Sequence, residues 1–369
     1  MQHSSLFQPF ELGSLTLKNR CVLAPMTRVS ANEEGSVSAQ MLPYYKSFAQ
    51  GGFAALITEG VYTDRAYSQC YRYQPGLTDG LQAASWKPLI EQVQDAGAAV
   101  IMQLMHAGAL SQYNRFSTLT GGPSSIRPKG TQMEFYRGHG LYELPSQMSS
   151  ADIETAISGF VEAAQRAEET GVSGVEIHGA NGYLLDQFLT DYANHREDQY
   201  GGSVGNRIRL TCEILGRVRE KVSPEFVVGV RISQSKVNDF EHKWAGGEED
   251  ARVVFTSLKE AGASYIHTTE FEADKPAFGT GASLAQLARQ FSNLPVIANG
   301  GLGKPDRAAA MLESSQADLI ALGKPALASN AWPNQVRANG PLKEFNFEMF
   351  SPRADLESES KWKEKETAQ

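Results

Sequence analysis

Three neutral hydrogen-bonding side chains, His178, Asn181 and Tyr183, crowd into the segment Val175-Glu176-Ile177-His178-Gly179-Ala180-Asn181-Gly182-Tyr183. The apolar, β-branched run before them stops at His178, so the segment reads as a strand emptying into a loop. In folds where strands alternate with helices, strand ends carry the chemistry. A histidine and an asparagine can both donate to one carbonyl oxygen, and a tyrosine beside them can protonate a nearby carbon. That combination suits polarising a conjugated carbonyl and protonating the enolate that follows. A lone strand-end histidine is more often satisfied by backbone; the rest of the chain argues otherwise.

Short apolar runs recur at Cys21–Thr27, Ala54–Tyr62, Ala98–His106, Gly174–Gly179, Phe226–Ser233, Tyr265–Phe271, Pro295–Gly301 and Ala317–Pro325. None alternates cleanly, as expected of parallel strands buried on both faces. The stretches between them with helical character include Leu81–Asp95, Ala151–Thr170, Asn206–Lys221, Glu248–Ala261, Leu284–Phe291 and Pro305–Ser314. Cap signals open several of these, such as Ser149-Ser150-Ala151-Asp152, and glycines such as Gly97, Gly171 and Gly262 close them. Eight β-then-α units predict a (β/α)₈ barrel, the TIM-barrel architecture. An open doubly wound sheet is the alternative, but this many regular units would be unusual for it. Phe7–Arg20, with its turn-like Leu12-Gly13-Ser14, predicts a β-hairpin that could plug the barrel floor. Residues 107–149 form a Gly-, Pro-, Tyr- and Arg-rich insertion after the third strand, long enough to be a functional cap. The reading is a single domain over 1–350, followed by a polar tail over 351–369 that we expect to be solvated.

The strand ends list the side chains that face the site. The first gives Pro25, Met26, Thr27 and Arg28, the second Glu59-Gly60, the third Gln103 and His106. The fifth gives Arg231, the seventh Asn299-Gly300-Gly301 and the eighth Gly323-Lys324. Barrels of this type bind phosphate at the glycine-rich ends of strands seven and eight. Lys324 adds a positive charge there. Gln103 offers a donor and an acceptor to the edge of a pyrimidine-like ring, Thr27 a hydrogen bond to a ring carbonyl, and Arg231 a counter-charge. A phosphate grip, a two-faced amide and an arginine together describe a site for flavin mononucleotide (FMN). Arg231 as a structural ion pair and Gln103 as a polar core residue are the plainer alternatives.

Composition narrows the classes. Hydrophobic content of 41% with 21% charged residues is that of an ordinary soluble enzyme, and no apolar stretch reaches membrane-spanning length. A net charge of −8 argues against nucleic acid or an anionic membrane as partner. Cys21, Cys70 and Cys212 share no metal or disulfide spacing, so no metal is expected, and a reducing cytoplasm is the expected location. The Gly323-Lys324 pair fails as a phosphate-binding P-loop, with Pro325 next and Asp318 where glycine is required. No GxGxxG follows a strand.

In combination these segments resemble the old yellow enzyme family of FMN-dependent ene reductases. The resemblance lies in LFQPFELGSLTLKNRCVLAPMTR at 6–28, ITEG at 57–60, HGANGYLLDQFL at 178–189 and YGGSVGNRIR at 200–209. GVRIS at 229–233, IANGG at 297–301 and ADLIALGKPALASN at 317–330 complete it. It implies that Pro25, Met26 and Thr27 meet the flavin's N5–O4 side, with Gly60 and Gln103 on the ring and Arg231 beside N1. Asn299, Gly300, Gly301, Gly323 and Lys324 would surround the phosphate. His178 and Asn181 would hold the substrate oxygen and Tyr183 would give the proton. NADPH or NADH would be the transient hydride donor, and enones, enals, maleimides or nitro compounds the oxidants. Lys324 stands where arginine is common, Met105 where tryptophan is frequent, and Thr27 where another branch has cysteine. Residues 345–356 show no evident counterpart of the family's late substrate-site tyrosine. In the insertion, Tyr113, Arg115, Arg127 and Arg137 are candidates to grip the nicotinamide nucleotide. Relatives that continue into an iron–sulfur cluster and nucleotide-binding domains, and a flavin-binding sensor without activity, are the rival readings. Monomer and homodimer both stay open.

Overall fold

The computed structural model describes residues 2–367. Eight parallel strands close into a barrel: β1 (Cys21–Leu23), β2 (Ala55–Ile57), β3 (Ala99–Met105), β4 (Gly174–Asn181), β5 (Val227–Lys236), β6 (Tyr265–Thr269), β7 (Val296–Asn299) and β8 (Leu319–Leu322). Each pairs with its successor, and β8 returns to β1 through Ile320 opposite Cys21. The strands are buried along nearly their whole length, which is why their sequences lack alternation. Around them run α1 (Met41–Gln50), α2 (Gly80–Asp95), α3 (Ser150–Glu169), α4 (Arg209–Lys221), α5 (Glu248–Glu260), α6 (Leu284–Ser292) and α7 (Pro305–Glu313).

Local signals explain the boundaries. Ser149 and Asp152 form the reciprocal cap of α3, and Pro305 opens α7. The glycines that end helices, Gly97, Gly171 and Gly262, sit at φ of 87°, 86° and 95°, where a side chain would be strained. Several bounds differ from expectation. The helix expected over 206–221 is broken at Ile208 into Val204–Arg207 and α4. The first strand stops at Leu23, so Pro25–Thr27 lie in a loop over the barrel mouth.

The hairpin forms from Phe10–Leu12 and Leu15–Leu17. Leu12 and Leu17 pack with Val22, Ala55, Ile101, Val227, Ile297 and Leu319 from the barrel interior, which closes the floor as the apolar pattern suggested. Chemistry is thereby confined to the opposite, C-terminal mouth.

Part of the tail expected to be solvated is instead buried. Leu356–Thr367 is a helix, and Asp355, Ser358 and Glu359 before and within it are buried. The reason is Arg28, which is fully buried. Its guanidinium pairs with Glu359, donates to the carbonyls of Ala354 and Asp355 (both 3.2 Å) and stacks on Tyr44 and Phe350. A buried arginine needs a partner, and its partner lies at the far end of the chain.

Candidate active site

The segment that carries His178, Asn181 and Tyr183 is shaped by β5 and by an internal ion pair. β4 continues past His178 to Asn181, two residues beyond the expected end. His178 is opposite Arg231 and Asn181 opposite Lys236, with an irregularity in β5 between them. Asn181 takes φ of 62°, a left-handed conformation that asparagine tolerates, and its N–H donates to Ser233 Oγ at 2.8 Å. The Gly182 N–H donates to Asp186 at 2.6 Å, and buried Lys236 neutralises that carboxylate at 2.8 Å. Gln187 ties the turn to the insertion: Nε2 donates to the carbonyls of Gly182 and Ala107, and Oε1 accepts from the Ala109 N–H.

His178 is 3% exposed, and its Nδ1 is buried without a partner among the described residues. Burial, reinforced by the charge of Arg231, pushes its pKa down to about 3, so the ring is a neutral hydrogen-bonding group at physiological pH. Tyr183 lies 5.1 Å away between ring centroids. Burial raises its phenol well above the ordinary value, so it holds its proton. The Tyr183 hydroxyl shares a 2.7 Å hydrogen bond with that of Tyr71, a residue the sequence did not single out. Tyr71 stacks at 4.6 Å on Tyr136 of the insertion, and the Tyr136 hydroxyl donates to the Thr27 carbonyl at 3.2 Å. The insertion thus joins the loop over the barrel mouth to the phenol pair.

Across the mouth, Gln103 Nε2 donates to buried Glu176 at 2.8 Å. Arg231 is 5% exposed; it donates to Asn299 Oδ1 at 2.8 Å, while its Nε is buried without a partner among the described residues. Burial lowers its pKa to about 10, which leaves it charged. Both ends of the Asn299 amide are engaged: Oδ1 also accepts from Thr269 Oγ1, and Nδ2 donates to the Ala321 carbonyl. This side chain therefore holds Arg231 in place. Gly60 needs to stay small unless Met105 moves, since a Cβ would meet the Sδ of that flexible side chain at 2.4 Å. Gly300, at φ of 134°, has the same need, with the Glu270 carbonyl 2.0 Å from a notional Cβ. Gly323 faces Met26, and Pro25, Met26 and Thr27 are half-buried around the mouth.

Lys324 is exposed, with its ammonium 4.6 Å above the Phe347 ring. The insertion's arginines are engaged by the protein itself. Arg115 donates to the Glu33 carbonyl, Arg127 to the Tyr142 carbonyl, and Arg137 pairs with Asp355 at 3.1 Å. Tyr113 lies beneath Arg72. These three arginines, candidate nucleotide contacts, join the insertion to the Glu33 loop, to itself and to the C-terminal segment.

The donor set fits a flavin. Gln103 keeps one N–H and its oxygen for a ring edge, Arg231 Nε lacks an acceptor, and glycine backbone lines the ends of β7 and β8. The model of the NADH:flavin oxidoreductase / NADH oxidase family matches residues 5–343. The chain is 31% identical to an NADH oxidase of Thermoanaerobacter brockii over 90% of its length, but spans only 50% of that protein. It is also 31% identical to putative 12-oxophytodienoate reductase 11 of rice, covering 94% of this chain and 93% of that one. Among solved structures it resembles the old yellow enzyme homologue from Zymomonas mobilis, with TM-score 0.85, 28% identity and 94% and 96% coverage. Morphinone reductase in complex with tetrahydroNAD gives TM-score 0.82, 29% identity and 94% coverage of both chains.

Proposed function

The chain belongs to the NADH:flavin oxidoreductase / NADH oxidase family, and we propose that it is an FMN-dependent ene reductase driven by NADPH or NADH. Its oxidants would be α,β-unsaturated carbonyl compounds, enals, maleimides or nitro compounds. The observation that carries the proposal is the pairing of an unpartnered, neutral His178 and Asn181 with a protonated phenol at Tyr183. The names of relatives point the same way: one is a putative 12-oxophytodienoate reductase, and another is a morphinone reductase whose structure is a complex with tetrahydroNAD.

FMN, when bound, would supply the hydride-transfer chemistry that links the nicotinamide to the substrate's β-carbon. Pro25, Met26, Thr27, Gly60, Gln103 and Arg231 would hold the ring. Asn299, Gly300, Gly301, Gly323 and Lys324 would lie round the phosphate, with Asn299 acting through Arg231 and its own backbone. His178 and Asn181 donate to the substrate oxygen, and their worth grows as negative charge develops there. Because His178 is neutral, it stabilises that oxygen without losing a proton to it. Tyr183 gives its proton to the α-carbon. A phenol of raised pKa is a weak acid, yet an enolate carbon is basic enough to take the proton. Tyr71, hydrogen-bonded to Tyr183, fixes the phenol's direction.

The domain is proposed to span 1–350 with 107–149 as its cap. The free state of Cys21, Cys70 and Cys212 favours the cytoplasm; among the described residues no helix is long and apolar enough to cross a membrane. Anaerobic turnover of FMN-loaded protein with NADPH or NADH and 2-cyclohexenone tests the activity. Cyclohexanone should form, while an unconjugated alkene stays untouched. Turnover with oxygen alone, and none with any activated alkene, would rule the proposal out.

A further inference from the structure

Two residues before His178 on β4, and therefore on the same face of that strand, stands Glu176. It is a carboxylate with no exposure in the centre of the barrel. Its oxygens accept three hydrogen bonds: Oε1 from Gln103 Nε2 (2.8 Å), Oε2 from Tyr265 Oη (2.9 Å) and from His267 Nδ1 (2.8 Å). Burial works against the charge, but His267, Arg231 and the hydrogen bonds together keep the carboxyl below its ordinary pKa. Arg231 and Glu176 are thus two buried opposite charges, and Arg231 is anchored separately by Asn299. The reactions proposed above leave Glu176 without a part.

We propose that Glu176 is the positioning residue of the flavin's pyrimidine edge: it decides which way the Gln103 amide faces and tempers the positive field of Arg231. The inference rests on the FMN reading. A glutamine amide can present either end, and a carboxylate acts only as an acceptor. Glu176 therefore pulls the NH₂ end of Gln103 towards itself. One N–H and the oxygen remain side by side, the pattern that a carbonyl next to a ring N–H requires. Turning the amide over would set its oxygen against a carboxylate. Charge follows the same logic. Arg231 favours the extra negative charge of a reduced flavin, and Glu176 offsets part of that preference. The carboxylate thereby tunes how differently the site holds the two redox states.

Glu176→Gln removes the charge while keeping size and hydrogen-bonding capacity. Oxidised FMN should bind more weakly, by fluorescence titration, because Gln103 is no longer held one way round. The reduced state should gain relative to the oxidised by roughly tenfold, a rise of about 30 mV in the two-electron midpoint potential. Glu176→Asp retains the charge and should leave the potential near that of the parent even if affinity falls. Tyr265→Phe keeps the carboxylate but removes a bond that disperses its charge, so its potential should move down; it serves also if Glu176→Gln fails to fold. A purely structural role would lower thermal stability and weaken both redox states alike. An unchanged potential in Glu176→Gln and Tyr265→Phe would overturn the inference. A parent protein that binds no FMN would instead refute the cofactor reading.

Discussion

Replacing Glu359 with alanine should loosen the protein at both ends of its chain at once. Glu359 is the ion-pair partner of Arg28, whose side chain is fully buried, and its own side chain is 6% exposed. Removing one member of a buried pair strands the other charge, at a typical cost of about 3–5 kcal/mol. Arg28 would keep its bonds to the Ala354 and Asp355 carbonyls, which set the lower end of that range. For a chain of 369 residues, an unfolding entropy of about 2.1 cal/mol/K per residue gives roughly 0.8 kcal/mol per degree, so Tm should fall by about 4–6 °C. Undocking of Leu356–Thr367 alone could relieve the strain first. Limited proteolysis should then cut within 351–367 well before global melting. Arg28 N–H also donates to Glu59, and Thr27 is its neighbour, so FMN should be held less tightly as well. Calorimetry of the FMN-saturated protein, proteolysis and a flavin titration read the three effects. A Tm within about 1 °C of the parent, with an unchanged digestion pattern, would refute the reasoning.

His178 should not titrate between pH 5 and 8, which its ring proton shifts would report by NMR. The unfolded chain takes up that proton near pH 6.5, but the folded chain only near 3. This residue's contribution to stability is therefore intact above about pH 6.5 and is lost as pH falls below it. Lys324→Ala should weaken FMN binding by about 1 kcal/mol, roughly fivefold, because the ammonium is exposed and partly engaged with Phe347; equal dissociation constants would mean that it does not serve the phosphate. Gly300→Ala forces a Cβ onto the Glu270 carbonyl. It should destabilise the end of β7 by about 3 kcal/mol or more, seen as a lost flavin spectrum and a lowered denaturation midpoint. Tyr71→Phe should slow enone reduction less than Tyr183→Phe does, since it removes only the bond that orients the phenol.

The barrel was legible because each strand is a compact apolar run and three of the helices carry side-chain caps of their own, at Asp79, Ser149 and Ser283, all of them local signals. The strand-end residues followed from the topology: once the strands are placed, His178, Gln103, Arg231 and Asn299 must share one mouth. What the sequence hid is long-range pairing. Arg28 and Glu359 lie far apart in the chain, so a charged tail gave no sign that one of its glutamates would be buried. Tyr71 sits in a loop crowded with other tyrosines, and nothing in its spacing marks it as the partner of Tyr183. Glu176 was visible as a carboxylate in an apolar strand, but its three donors come from β3 and β6 and only the closed barrel assembles them.

That one constellation both holds an enone oxygen and protonates its α-carbon is tested most directly by stopped-flow measurement of the two half-reactions in Tyr183→Phe. Flavin bleaching by NADPH or NADH should proceed at nearly the parent rate, because the phenol takes no part in it. Reoxidation by 2-cyclohexenone without oxygen should slow by roughly 10²–10⁴-fold, the range for loss of a general acid. Reoxidation at the parent rate would show that another group delivers the proton and that Tyr183 is not the acid.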